Sequence, residues 1–597
     1  MSPNGSPVRG RRTGRRVLVT ALAFGLIASL FGPSPAAPAA EACTDPPRTF
    51  PTGKLVDGVR GEGWTVVKGT EPARFRVRVL GRLQDGIAPG LDFVLIKVSG
   101  RTIQRTGGIA AGFSGSPVYV GRRLAGAVSY GFFGADQTIG GMTPARQMVD
   151  LFGYPSSVDG GYSPAARVKL NDRLKRAAAR ASGETASDLA DSAVQLPLPM
   201  GISGLNGRAM EKVQNRVERL GLNVELYRMG RAALSDGTAA EPLRPGQSLA
   251  GVLSYGDLTW AGIGTATAVC GDFVLGFGHP FFWEGSTSMG LSGANVLKVI
   301  PDPSQIFGGF KIAEVAELHG TLDQDRLAGV RGVEGAMPLV TKVRSHIVNP
   351  DIGKERTGTT AVVYQPWLYY IASFALLVNE DAVHDRIGDG TTTLEWTISG
   401  RDESGDRWSL TRDNMYFSEW DTTIYSIFEL WDELWAIQRN RFQDVRVKDV
   451  DIEGEVTQEH KVVDIRKVEV ASSLQPDLAE RRRLKVAPGD TIEIKVRLHF
   501  EDGSTTVENL TVDVPKDARC CGELSIRRGY YWSRRDKAGS FQELLDQLAG
   551  AEHFYDLVAE LEVDLKGDER DRYTATTVEP QDYVVTGSKR IDIDVEG

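Results

Sequence analysis

The chain has 597 residues, of which 41% are hydrophobic and 25% are charged, and its formal net charge is −9. A chain of this length exceeds what one hydrophobic core can hold, so we expect about two to four domains. The acidic balance argues against nucleic acid as a partner, because phosphate backbones are bound by basic surfaces.

The N-terminal segment has the layout of a secretory signal peptide. Arginines between Arg9 and Arg16 precede the uncharged apolar run VLVTALAFGLIASLF, and small residues follow up to Ala42. The run is shorter than the roughly 20 residues that span a membrane, which favours cleavage over a retained anchor. We therefore expect residues 1–42 to form a signal peptide, with a mature start between Ala40 and Cys43. The mature protein would be secreted or held in a bacterial cell envelope without a stable membrane span, and general and twin-arginine export both stay open.

The cysteines and the remaining motifs indicate no metal or organic cofactor. The chain has four cysteines, Cys43, Cys270, Cys520 and Cys521, which can pair in an oxidising compartment but are too few to form the main framework. No C-x-x-C pair, Walker loop, H-E-x-x-H motif or dinucleotide-binding fingerprint is present.

Most of the chain has the alternation typical of β-strands. In residues 45–155, the segments FRVRVLGRL and LDFVLIKV and the hairpin SPVYVGRRLAGAVSYG predict the first β-domain. Residues 156–240 contain two segments of helical period, DRLKRAAARAS and MEKVQNRVERL, and predict a helical linker or insertion. Strands resume with GQSLAGVLSYG and predict a second β-domain over residues 241–350.

The C-terminal part divides into two further predicted regions. Residues 351–442 form a mixed β and helical region that ends in TTIYSIFELWDELWAIQRNRF, a helix with Trp431 and Trp435 on one face. We expect these tryptophans to pack in the core or at a domain interface rather than to form a ligand-binding surface. Residues 443–597 contain PGDTIEIKVRL and STTVENLTVDV, which predict a β-sandwich-like domain, followed by a helix from Ser540 to Leu561.

Ser114 is the strongest candidate for a nucleophile. It lies in GFSGSP, where Pro117 and a strand follow, whereas the nucleophile elbow of α/β-hydrolases requires a helix at that point. A serine in a tight turn of a double β-barrel fits better. There the N–H groups of the serine and of the glycine two residues earlier form the oxyanion hole. This spacing predicts that the N–H groups of Gly112 and Ser114 form the oxyanion hole.

The hairpin after Ser114 looks like the one that ends in the substrate-binding strand of chymotrypsin-like proteases. Ser129, Tyr130 and Gly131 take the place of that strand. A strand of this kind binds an extended peptide through main-chain hydrogen bonds.

Two motifs support a family resemblance. TGGIAAGFSGSPV resembles the peptidase domain of SpoIVB, the sporulation-associated serine protease family, and GFGHPFF resembles the segment that holds that family's catalytic histidine. The similarity covers residues 51–155 and 243–332. It implies a chymotrypsin-like double β-barrel with Ser114 as nucleophile and His279 as general base. Because the serine precedes the histidine here, against the family's order, the two half-barrels are expected to be permuted along the chain.

The acid of a catalytic triad is not settled by the resemblance. At the position of the family's aspartate this chain has Ser99. Asp325 and Asp92 are the candidates to orient His279, and a Ser/His dyad or an inactive homologue are the alternatives.

The sequence thus predicts a mainly β, secreted serine endopeptidase that acts on a protein or peptide substrate. The alternative is a catalytically lapsed, protease-like binding module of the cell envelope. If the first interpretation is right, the Ser114 oxygen and an imidazole nitrogen of His279 should lie about 2.6–3.2 Å apart.

Overall fold

The computed structural model describes residues 43–132, 136–155, 167–183, 192–232, 242–304, 308–531, 538–565 and 572–596. The protein is mainly β, as predicted. The predicted signal peptide lies outside the described residues. Within those ranges, no helix is both long enough and apolar enough to cross a membrane.

The first β-domain contains a closed ring of six strands. Its elements in chain order are β1 (Arg60–Thr65), β2 (Ala73–Ala88), β3 (Leu91–Ser99), α1 (Arg101–Thr106), β4 (Ala110–Ala111), β5 (Pro117–Val120), β6 (Arg123–Gly131), β7 (Ile139–Pro144) and α2 (Ala145–Val149). Antiparallel pairing runs β5-β1-β2-β3-β7-β6 and returns to β5. The apolar residues that alternate along β2 and β3 fill this ring, so these strands confirm the pattern seen in the sequence.

The connecting region is partly helical and partly β. It contains β8 (Arg167–Lys169), α3 (Asp172–Ser182), β9 (Ser192–Gln195), β10 (Leu198–Ile202), α4 (Gly207–Arg219) and β11 (Val224–Arg228). The side chains of Asn171 and Asn206 cap the first turns of α3 and α4. Each neighbouring sheet gains two strands from this region. In the first sheet β9 pairs with β6 and β8 pairs with β9; in the second sheet β10 pairs with β13 and β11 pairs with β10.

The second β-domain is also built on a closed ring of six strands. These are β12 (Ser248–Gly256), β13 (Trp260–Cys270), β14 (Phe273–Gly276), β15 (Gly285–Ile300), β16 (Gly309–Arg326) and β17 (Gly329–Glu334). The pairing runs β12-β13-β14-β17-β16-β15 and returns to β12. A disulfide joins Cys43 to Cys270, and β4 of the first domain pairs with β16.

Two helices cover the extension of the second sheet. The elements are β18 (Thr341–Asn349), β19 (Lys354–Val362), α5 (Leu368–His384), β20 (Gly390–Asp402), β21 (Arg407–Ser418), α6 (Thr422–Gln438) and β22 (Val445–Thr457). The strands continue from β12 in the order β19-β18-β22-β20-β21. Trp431 of α6 packs against Tyr369 and Tyr370 of α5, whereas Trp435 is about half exposed. Core packing therefore accounts for one tryptophan of the predicted face.

The C-terminal region has two five-stranded sheets that share one core, as expected for a sandwich. Its elements are β23 (Val462–Ser472), β24 (Gln475–Ala479), β25 (Arg483–Val486), β26 (Thr491–Phe500), β27 (Thr505–Asp513), β28 (Ala518–Arg528), α7 (Phe541–Ala549), β29 (Asp556–Leu565), β30 (Arg572–Pro580), β31 (Val584–Thr586) and β32 (Ser588–Val595). The predicted helix from Ser540 to Leu561 is wrong in its second half. The helix ends at Ala549 before Gly550, and the alternating residues of DLVAELEVDL form β29.

Candidate active site

Ser114 and His279 meet between the two rings. Ser114 follows β4, and His279 lies in the loop between β14 and β15. Although 165 positions separate them in sequence, Ser114 Oγ lies 2.7 Å from His279 Nε2. Their exposed fractions are 1% and 0%. The structure therefore brings the two residues together within the distance set by the sequence prediction.

Glycines shape the turn that carries Ser114. Gly112 and Gly115 have φ angles of +89° and +92°, a region that side chains rarely adopt. A Cβ on Gly115 would lie 2.0 Å from the carbonyl oxygen of Thr265. The Gly115 N–H also donates to the Val128 carbonyl at 2.8 Å, which attaches the turn to β6. The GFSG motif is thus explained by positive φ at both glycines and by close backbone approach at Gly115.

Two buried amides beside Ser114 lack acceptors. Among the described residues, no hydrogen-bond acceptor faces the N–H of Gly112 or the N–H of Ser114, although both residues are buried. Unpaired buried N–H groups are rare in folded proteins because each costs about 1–3 kcal/mol. These are the two donors that the sequence assigned to an oxyanion hole. Their unpaired state leaves them available to a substrate oxygen.

A strained turn presents His279 to the serine. Phe277 and Gly278 have φ angles of +62° and +68°, and the Phe277 ring packs edge-on against the imidazole. A Cβ on Gly278 would lie 2.6 Å from Ser129 Oγ. Positive φ at a bulky residue such as phenylalanine is uncommon and clusters at functional sites.

The Pro280 carbonyl sets the tautomer of the imidazole. Its oxygen lies 2.6 Å from His279 Nδ1. A carbonyl only accepts hydrogen bonds, so Nδ1 carries the hydrogen and Nε2 presents a lone pair to the Ser114 hydroxyl. Burial lowers the pKa of His279 to about 4, and the hydrogen bond to Pro280 opposes this shift. The imidazole is therefore neutral at physiological pH, in the form that accepts a proton from serine.

Asp325 supports the loop after His279 rather than the imidazole itself. Its carboxylate accepts hydrogen bonds from the amides of Phe281 and Phe282, both at 2.7 Å, and of Glu284 at 3.3 Å. Burial raises the pKa of Asp325 to about 6, against the effect of these amides. Asp325 does not make the expected contact with His279 Nδ1, which faces the Pro280 carbonyl instead. The reason is that the Asp325 carboxylate is occupied by the main-chain amides that follow Pro280.

Asp92, the other candidate, is also engaged elsewhere. Its carboxylate pairs with Arg82 and accepts from the Asp85 amide at 2.9 Å. Both partners belong to the β2–β3 hairpin, so Asp92 stabilises the end of that hairpin. Neither aspartate therefore occupies the place of a triad acid.

The predicted substrate strand is connected to both sides of the site. Ser129 Oγ lies 2.9 Å from Thr143 Oγ1, and the Thr143 hydroxyl donates to the Gly278 carbonyl at 2.6 Å. Tyr130 and Gly131 pair with residues of β9. The strand thus lies beside the Ser114 turn and next to the histidine turn, and a segment of the same chain covers its edge.

Sequence reasoning missed a buried lysine beneath the serine turn. Lys311 is fully buried, and its ammonium lies 3.0 Å from Thr65 Oγ1 and 3.2 Å from Thr265 Oγ1. The Thr265 hydroxyl donates to the Gly112 carbonyl at 2.9 Å, and burial lowers the pKa of Lys311 to about 7. The available signal was a lysine at an inward position of the alternating strand GFKIAEV.

Potential metal ligands gather away from this site. Within the described ranges, one group of three such residues lies close together: Cys520, Cys521 and Asp564, in the β28–β29 sheet of the sandwich. The Ser114 site itself offers a hydroxyl, an imidazole and main-chain amides, which is the chemistry of acyl transfer.

Comparison of the chain with protein-family models, curated proteins and solved structures gives no match. The function must therefore be inferred from the geometry around Ser114 and His279 and from the motifs that surround them.

Proposed function

We propose that the protein is a serine endopeptidase with Ser114 as nucleophile and His279 as general base. The observation that carries this proposal is the 2.7 Å contact between Ser114 Oγ and His279 Nε2, made by residues from two different rings. Two unpaired buried amides adjoin this contact. Two six-stranded rings with the site between them fit a permuted chymotrypsin-like double barrel, and the SpoIVB-like motifs support the same roles.

The reaction begins with attack by Ser114 Oγ on a peptide carbonyl carbon. The hydroxyl proton moves to His279 Nε2, and the amides of Gly112 and Ser114 hold the oxygen that becomes negative. When the carbon–nitrogen bond breaks, the imidazolium returns the proton to the leaving amine. Water then attacks the acyl-enzyme with His279 again as base, which releases the acid and restores the serine hydroxyl.

The Pro280 carbonyl performs part of the role that a triad aspartate has. It fixes the tautomer, and the loss of that function accounts for a rate decrease of about 10⁴-fold when the well-known triad aspartate becomes asparagine. A neutral carbonyl stabilises the imidazolium less than a carboxylate does. We therefore expect turnover, but slower than that of a complete triad.

Substrates are proposed to be extended peptides that pair with Ser129, Tyr130 and Gly131. This edge lies beside the nucleophile turn, since the neighbouring Val128 carbonyl binds the Gly115 amide. With the signal-like N-terminus, the proposed place of action is outside the cytoplasm or in the cell envelope.

A protease-like binding module is the second candidate. The full burial of Ser114 and His279 and the absence of a carboxylate at His279 Nδ1, among the residues that the structure describes, favour it. Such a module would retain the fold and would not acylate its serine.

Prolonged incubation with a fluorophosphonate, followed by mass-spectrometric mapping, separates these two functions. We expect one adduct, on Ser114, that Ser114→Ala abolishes and Ser116→Ala retains. Ser116 is a suitable control because it is a buried serine of the same turn. An adduct that survives Ser114→Ala would show that Ser114 is not a nucleophile, and so would the lack of any adduct on Ser114 in a variant whose site is open to solvent.

A further inference from the structure

A segment of the protein's own chain lies on the substrate edge of β6. Along β6, β5 pairs with Arg123–Ala127, and beyond it β9 pairs antiparallel with Tyr130 and Gly131. The N–H of Leu196, the residue after β9, donates to the Ser129 carbonyl at 3.0 Å. These contacts are those that a bound peptide strand would make with this edge.

A side chain of this segment is also buried as that of a bound peptide would be. Leu196 has no exposed surface and belongs to the apolar cluster that includes Ile109, Ala110 and Phe113, which flank the serine turn. Leu196 therefore packs into the part of the first ring's core that adjoins the serine turn.

The segment also reaches the histidine side. The Gln195 side-chain amide donates to the Pro280 carbonyl at 3.1 Å, the same oxygen that faces His279 Nδ1. Ser114 and His279 have almost no exposed surface in this conformation, so no external peptide can reach the pair.

We propose that residues 192–197 occupy the peptide groove as a built-in pseudo-substrate. The Leu196 N–H and side chain then take the places of the residue before the bond that Ser114 attacks, whereas the Leu196 carbonyl accepts no hydrogen bond from the amides of Gly112 and Ser114. The groove selects extended peptides with leucine at that position. The protein is inhibited until this segment leaves. This inference rests on the proposed peptidase function and deepens it by naming the substrate class.

Pro197 explains how such a segment stays uncut. The Leu196–Pro197 bond is a tertiary amide, and the proline ring carbon occupies the place of the hydrogen on an ordinary leaving nitrogen. The ring crowds the nitrogen that His279 must protonate. The segment therefore binds like a substrate without being a good one.

The test compares phosphonylation rates of the full chain with those of Leu196→Ala and Leu198→Ala. Both leucines are buried and both substitutions remove the same atoms, but Leu198 lies in β10, outside the groove. We expect Leu196→Ala to raise the rate at Ser114 at least about 10-fold and Leu198→Ala to leave it within about 3-fold. Gln195→Ala, which removes only one hydrogen bond, provides a milder variant with an expected rise of about 3-fold.

Peptide hydrolysis tests the leucine assignment in the same variants. The probe is a fluorogenic peptide of the segment's own sequence, SAVQL, with the reporter amide after the leucine, and the control peptide ends in aspartate. We expect Leu196→Ala to cleave the leucine peptide at least about 10-fold faster than the control.

The outcomes distinguish this inference from the peptidase function on which it rests. Equal phosphonylation of Ser114 in the full chain, Leu196→Ala and Gln195→Ala would overturn the pseudo-substrate and leave the peptidase intact. Equal cleavage of the two peptides would overturn the leucine preference. No reaction at Ser114 in any variant would overturn the peptidase and the inference together.

Discussion

Two buried polar clusters in this protein differ in how completely they are satisfied. In the first, Ser114 meets His279 between the rings. In the second, Arg412 of β21 meets Glu429 of α6, and the Glu429 carboxylate accepts hydrogen bonds from Arg412, Asn414 and Tyr416 at 2.6–2.8 Å. Arg412 also donates to the Ala551 carbonyl at 2.7 Å, which ties this cluster to the end of α7.

The difference separates a structural cluster from the proposed active site. The charges around Glu429 are paired and bonded from several sides, which is the condition under which burial of charge is tolerated. The Ser114 cluster instead retains unpaired amides and positive φ angles at Gly112, Phe277 and Gly278. Unmet hydrogen-bonding capacity and strain persist where they serve a ligand or a reaction.

The largest effect on stability is expected in the Glu429 cluster. Glu429→Gln removes the carboxylate that accepts hydrogen bonds from Arg412, Asn414 and Tyr416 and leaves Glu433 as the remaining charge partner of Arg412. It should lower the free energy of unfolding by about 3–5 kcal/mol. The exposed Glu419→Gln serves as control, with an expected change below about 0.5 kcal/mol. Chemical denaturation measures both. If Glu429→Gln were as mild as the control, the Arg412 cluster would not be the structural one.

A smaller, pH-dependent effect is expected from His279. Its pKa is lowered from 6.5 to about 4, so between these values the folded state binds fewer protons than the unfolded state. Its contribution to stability is complete above pH 6.5 and is lost as the pH falls towards 4, by up to about 3 kcal/mol. Asp325, with its pKa raised from 3.8 to about 6, acts with the opposite sign over nearly the same range.

Comparison with His279→Gln isolates the histidine, because Asp325 remains in both proteins. The stability of the unsubstituted protein relative to His279→Gln should rise with pH from 4 to 6.5 and stay level above it. Denaturation curves at half-unit steps in pH measure this difference. A difference that does not vary with pH would mean that the imidazole titrates normally and is not enclosed as described.

The smallest effect is expected from a single methyl group in the histidine turn. Gly278 and Gly121 both have positive φ, at +68° and +61°, so alanine strains the backbone at either position by about 1–2 kcal/mol. At Gly121 the added carbon meets open space, whereas at Gly278 it collides with Ser129. We therefore expect a larger loss in stability for Gly278→Ala than for Gly121→Ala, and a decrease in kcat for Gly278→Ala alone. Equal kcat values would show that the Ser129–Gly278 contact does not position His279.

The local parts of the site were predictable from sequence, and the long-range parts were not. The turns around Ser114 and His279 are marked by glycines that local backbone geometry requires, so the motifs predict that Ser114, His279 and Gly112 lie in one site. The Pro280 carbonyl, Lys311 and the β9 segment enter the site through loop geometry or strand pairing between distant residues, which no local pattern encodes. Asp325 was assigned from chain separation alone, and separation does not determine which atoms a buried carboxylate contacts.

The fold prediction failed where a helix and the strand that follows it were taken as one long helix. The helix ends at Ala549, and the segment Asp556–Leu565, whose first part lies in the predicted helix, alternates with period two and forms β29. The strands of the first ring and of the C-terminal sandwich were predicted well, since alternation of buried and exposed side chains is strong along β2 and β26.

The most direct test of the account is whether Ser114 reacts through His279. The measurement is the second-order rate of phosphonylation at Ser114 in Leu196→Ala, compared with Leu196→Ala that also carries His279→Gln. Removal of the base should lower the rate by at least about 10³-fold, because nucleophile and base act as a unit. Equal rates in the two proteins would contradict the account, since they would show that the 2.7 Å contact between Ser114 and His279 does not activate the serine.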